Sequence, residues 1–171
     1  MSTSYSILTD IENALRPLIE ADGGRLDVAS DIDDALEQLS HSPKGWRVVL
    51  LWDGHQSHPE GRHGMSRAGV TTFLQMSSGM TKRSTVHRPG AGGRAAFLTR
   101  METLSKWCRA LRWPGDSETY QSGVDEAGLV LEDSSWVSAA GKTTIAHGLT
   151  WSLQYALESQ STPILIQTPT N

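Results

Sequence analysis

The chain has 171 residues, 37% of them hydrophobic and 20% charged, with a net charge of −4. That length fits one domain whose core needs no staple, and the acidic balance argues against a general nucleic-acid binder. The lone cysteine, Cys108, excludes an internal disulfide and a cysteine-rich zinc site, and a reducing, cytosolic place of synthesis fits it best.

The first residues carry neither a basic start nor an apolar core, so no signal peptide is expected. No run approaches the roughly 20 apolar residues of a membrane span. Ile7, Leu8, Ile11, Leu15, Leu18 and Ile19 recur at helical spacing and predict an amphipathic helix. Pro17 should kink or break it near its end, and the glycines of "ADGG" at 21–24 close it. "SDIDDALEQLS" predicts a short second helix capped by Ser30, with Asp31, Asp33 and Asp34 at its positive end and Ile32, Leu36 and Leu39 facing inward.

"WRVVLLWD" at 46–53 is an aromatic and β-branched run between turn residues and predicts a strand; "AGVTTFLQMSS" at 68–78 predicts another. The connection would be roughly fifteen residues, long for a hairpin, with Gly54, Pro59, Gly61 and Gly64 breaking regular structure. "RAAFLTRMETLSKWCRALRW" predicts the long helix, with Phe97, Met101, Leu104, Cys108 and Leu111 as its apolar stripe and Trp107 widening it. From Ile145 to Leu157, large residues alternate strictly with small or polar ones, which predicts a long strand. "AGLVLEDSSWVSA" before it reads as its hairpin partner across the turn "AGKT".

Paired strands with helices grouped apart predict an α+β fold. The expected sheet has about four strands, mainly antiparallel with a mixed sheet as the variant. Helices pack on one face, and a long loop joins two strands. Residues 1–158 form the single domain and 159–171 an extended C-terminal arm. Ile164, Leu165 and Ile166, lying between Pro163 and Pro169, cannot bury themselves alone, so the arm folds back as an edge strand or adds to a neighbour's sheet.

The candidate chemistry centres on "WDGHQSHPEGRH" at 52–63, which holds three of the six histidines. Asp53, His55, His58, Glu60 and His63 are ligand types for zinc or iron, but no regular element holds them, so a polar contact loop is the preferred reading. "GKTT" at 141–144 lacks the P-loop glycine, since position 136 is Trp, and a strand follows it where a helix is needed. Gly90, Gly92 and Gly93 precede the long helix without the dinucleotide spacing, so a hinge is preferred to an anion site. Cys108 lies on an apolar stripe and reads as a core thiol. Trp107 and Trp151 read as core residues, and Trp113, before Pro114, as an interface aromatic.

The helix "ILTDIENALRPLIE", the strand "WRVVLLWD", a long loop, the strand "VTTFLQM", the helix "FLTRMETLSKWCRAL" and the closing "HGLTWSLQYALES" come in an order that resembles the tail terminator proteins of lambda-like long-tailed bacteriophages. The resemblance covers about residues 5–158. It implies a non-enzymatic structural virion protein at the tail–neck junction, assembled in the host bacterial cytoplasm without cofactor, metal or membrane. It implies a homo-hexameric ring that caps the tail tube, ends polymerisation of the tube protein and joins the head–tail connector or neck proteins. Phage DNA would pass through the lumen without specific binding. Candidate interface residues are His55, His58, Glu60, Arg62 and His63; Lys82, Arg83, Arg88 and Arg94; Trp113; and Ile164, Leu165 and Ile166. The alternatives are a head–tail connector or tail-completion protein and, from another class, a small metal-dependent enzyme using the His-rich loop.

Overall fold

A computed structural model describes residues 4–57, 65–77, 92–114, 126–137 and 144–156. The order is α1 (Ser4–Ala21), β1 (Arg25–Ala29), α2 (Ile32–Ser40), β2 (Trp46–Ser57), β3 (Met65–Ser77), α3 (Gly92–Ala110), β4 (Arg112–Pro114), β5 (Glu126–Gly128), β6 (Val130–Trp136) and β7 (Thr144–Ala156). Five strands form one sheet in the order β1-β2-β3-β7-β6, and β4 pairs with β5 apart from it. Only β1 and β2 are parallel; β2–β3, β3–β7 and β7–β6 are antiparallel. The fold is α+β with a mixed sheet.

In α1, Ile7, Ile11, Leu15 and Ile19 are completely buried, while Leu18 is 42% exposed at the edge of the stripe. The helix runs through Pro17 without ending there. Gly23, at φ +74, takes the left-handed conformation at the end of α1. Phe97, Leu104 and Cys108 of α3 are also fully buried, with Met101, Trp107 and Leu111 packed beside them. Both helices cover the sheet face made by Val48, Leu50, Val70, Leu74, Leu149 and Trp151.

Several expectations are corrected. β1 was not foreseen: "RLDVA" is short and carries two charges, so its pattern is weak. Its parallel pairing with β2 requires a crossover, which α2 supplies. That crossover puts α2 on the opposite face, where Ala35 and Leu39 pack against Val49, Leu51 and Phe73. The helices therefore sandwich the sheet instead of sharing one face. Within α2 the inward residues are Ala35 and Leu39; Leu36 is half-buried and Ile32 is 51% exposed. The cap is Asp31, whose side chain accepts from the Asp34 amide at 2.8 Å, while Asp34 reaches back to the Ser30 amide at 2.8 Å. The Ser30 amide first, and then the Gln38 side chain, hold the Asp34 carboxyl below its usual range.

The long inter-strand loop is also shorter than expected. β2 continues through Gly54 to Ser57 and β3 begins at Met65, leaving only 58–64 between them. Gly54 did not end the strand because it is accommodated at a bulge. β7 is the predicted long strand, paired on both sides, and Thr144 to Leu149 are buried on both faces. The hairpin of β6 and β7 is as expected; its turn, like the arm at 159–171, lies outside the described residues.

Candidate functional site

Two carboxylates stand at irregularities of the sheet. Pairing of β2 with β3 passes from Trp52↔Val70 to Gly54↔Gly69, leaving Asp53 as an extra residue. Pairing of β6 with β7 passes from Leu131↔Trp151 to Asp133↔Thr150, leaving Glu132. An extra residue bends the strand and re-aims its side chain. Gly54 takes φ +96, a conformation glycine adopts at little cost. Both side chains turn to the sheet face that carries α2, beyond the part this helix covers. Thr71 Oγ1 donates to Asp53, and Ser152 Oγ donates to Glu132. Thr150 lies 3.1 Å from Thr71 between them. Gly69 leaves room for this arrangement, since a Cβ there would stand 3.1 Å from that of Asp53.

The result is a shallow cleft of about 190 Å³, with Gly69 and Ala68 in its wall and Asp53, Glu132, Thr150 and Ser152 as its polar groups. Its two carboxylates only accept, so it suits donors such as ammonium, guanidinium or peptide N–H groups. Among the described residues, no group of three or more His, Cys, Asp or Glu side chains is placed to hold a metal ion.

A recess near the opposite edge of the sheet is basic. It measures about 480 Å³, lies at the start of β1 and β2 and is lined by Arg25, Lys44 and Arg47 among glycines and Trp46. Arg47 is mostly buried: Nε donates to Gln75 at 2.6 Å and the guanidinium to the His41 carbonyl at 3.2 Å. Asp27 is 3.7 Å from it and also accepts from Arg25 at 2.6 Å. Burial pulls the Arg47 guanidinium below its ordinary value and the charge of Asp27 opposes this. Gln75 in turn donates to the Leu39 carbonyl, so the network ties the end of α2 to the sheet.

On the other face, His147 is buried beneath the half-exposed Trp136, edge to ring at 4.7 Å, and Trp136 stacks on Phe97 at 5.6 Å. Burial lowers the His147 pKa, against the opposing pull of the Gly148 backbone and the charge of Asp133. Its Nε2 is 3.4 Å from Ser134 Oγ. Burial pushes the Cys108 thiol up to about 12, as suits a core residue and not a nucleophile.

Of the residues singled out in the sequence, Asp53 is described in full, exposed at the tip of the bulge. His55 lies in β2 opposite Ala68, so it is held by a strand and not by a loop. Arg94 falls in the first turn of α3, and Trp113 lies in β4 opposite Ala127. His58, Glu60, Arg62, His63, Lys82, Arg83, Arg88, Ile164, Leu165 and Ile166 lie outside the described residues. Glu132 and Ser152 were missed. The available signal was the charged pair Glu132–Asp133 within a strand segment. No family model matches the chain, and no curated protein sequence matches it.

Proposed function

We propose that the chain is a structural protein of a bacteriophage tail, the terminator that caps the tail tube as a ring and offers a joining surface to the neck. The observation that carries this reading is the long-stranded sheet. Strands of 12 and 13 residues extend about 40 Å, whereas the 18 residues of α1 span about 27 Å. The α2-side face of β2, β3, β7 and β6 carries acceptor groups suited to contact. Contact is its use in this reading, and no residue is assigned a catalytic role.

The connection 58–64 links β2 to β3 in sequence. Its histidines become contact residues toward a neighbouring subunit or the tube protein, sensitive to pH in the range where imidazole titrates. An acidic ring surface would let DNA pass without retaining it. Among the described residues, no helix is long and apolar enough to cross a membrane.

Deleting the gene from its source phage and measuring tails by electron microscopy tests the proposal. Tubes of excessive, irregular length are expected, with normal length restored by the gene supplied in trans. Tails of normal length joined to no head would instead favour a connector. A stoichiometric zinc or iron in the purified protein, lost in the His55→Ala/His58→Ala variant, would overturn the structural reading in favour of a metal-dependent enzyme.

A further inference from the structure

The two lateral edges of the sheet each carry a local charged patch, and the two patches differ in sign. β1, at one edge, opens on the recess of Arg25, Lys44 and Arg47, where Asp27 is the carboxylate set against three cations. Arg25 has 76% of its side chain exposed, and Lys44 is exposed beside it. β6, at the other edge, presents Glu132 and Asp133, with Asp53 in the same cleft as Glu132. Both charged groups also lie on one face. Arg47 is bound to Gln75, which reaches α2, and Asp133 stands opposite Thr150 on that same side.

We infer that the basic recess of one copy receives the acidic β6 edge of the next, and that this contact joins subunits head to tail. The inference rests on the ring proposed above and names its subunit interface. Two different patches cannot make a twofold contact with themselves. They make a heterologous one, which closes into a ring when the rotation between copies allows it. The residues suit the contact in shape as well as in sign. A recess of about 480 Å³ has room for carboxylate side chains; Asp133, exposed on the edge strand, is the group placed to enter it, while Glu132, held by Ser152 at the bulge, adds negative charge beside it. Arg25 and Lys44 do the reaching. Arg47, mostly buried and held by Gln75 and the His41 carbonyl, keeps positive charge at the base of the recess. The basic row at Arg47 and the acidic row at Asp133 are displaced along the sheet by four positions, about 13 Å, so neighbouring sheets meet with their strands offset.

The test is a charge swap. The variant Arg25→Glu/Lys44→Glu makes both edges acidic, and Glu132→Lys/Asp133→Lys makes both basic. Each is checked for a native circular dichroism spectrum and then weighed by native mass spectrometry and light scattering. Wild-type chains are expected to associate and to dissociate as salt is raised. Each variant alone should associate at least tenfold more weakly. Mixed in equal amounts, the two variants should regain association, because every interface of an alternating ring then pairs unlike charges. Association unaffected by either variant, or no recovery on mixing, overturns the pairing, while the tail-length phenotype still decides the terminator reading separately. A wild-type chain that stays monomeric to millimolar concentration also overturns it. So does loss of association in Lys82→Glu/Arg83→Glu with Arg25→Glu/Lys44→Glu unaffected, which would assign the acidic edge to the basic segment at 80–94.

Discussion

His147 is the described imidazole whose environment opposes its charge. It is 5% exposed and sits under Trp136, and burial lowers its pKa. Below the ordinary histidine value of about 6.5 the unfolded chain takes up the proton before the folded one does. Its contribution to stability is therefore complete above that pH and is lost as the pH falls further. The urea midpoint of the wild type should drop between pH 7 and pH 5 more than that of His147→Gln, and equal slopes would remove His147 as the cause. A second polar pair lies in the apolar interior, where Trp151 Nε1 donates to Thr72 Oγ1 at 3.0 Å and both residues are completely buried. Thr72→Val keeps the shape and orphans the indole N–H, at a cost of about 1–3 kcal/mol. In a Trp151→Phe background the same substitution should cost markedly less, because no donor is left without a partner. Chemical denaturation of the four chains closes the cycle. Neither pair was visible in the sequence. The alternation placed His147 and Trp151 on one face of a strand, but which side chains of β3, β6 and α3 cover them depends on strand order.

At the scale of elements, legibility followed the strength of the pattern. The apolar stripes of α1 and α3 and the period-two run of β7 each extend over several turns or many residues, so local pattern and tertiary burial agree. β1 has five residues with Arg25 and Asp27 among them, and its burial is set by β2 beside it. The glycines around 54–64 misled in the other direction. They signal irregular chain, yet a bulge absorbs Gly54 and lets the strand continue. The cap of α2 was legible one residue out: Ser30 was expected, and Asp31 does the work while Asp34 closes the reciprocal bond. Replacing Asp31 by Ala should therefore destabilise the protein by about 1 kcal/mol, read as a lower melting temperature. Ser30→Ala should cost clearly less, since its backbone amide still donates to Asp34. Reversal of that order would make Ser30 the functional cap.

At the scale of the whole molecule, the class could be read and the layering could not. Counting helices and strands gave α+β, but the side on which α2 packs follows from the parallel joint between β1 and β2, and that joint needed the missed strand. The bulged carboxylates of the cleft come from β2 and β6, which are brought near each other only because β3 and β7 lie between them. No local pattern carries that order. It also makes a demand on folding. β7 is the last described strand of the chain, yet it lies inside the sheet, paired with β3 on one side and β6 on the other. Its Ile145, Leu149, Trp151 and Leu153 are part of the main core. Without β7 the β3 ladder has an open edge, β6 loses its partner in the sheet, and the face under α3 loses a row of large side chains. A chain ending at residue 143 should therefore fail to fold, with exposed sheet edges that promote aggregation. A chain ending at residue 158 retains every described strand and should keep a melting temperature within about 4 °C of the full chain, the shift that about 1 kcal/mol produces at this size. Circular dichroism and thermal melts of the two truncations decide it. Collapse of the 158-residue chain would mean that the arm belongs to the domain's core, and a folded 143-residue chain would mean that β7 is dispensable to it.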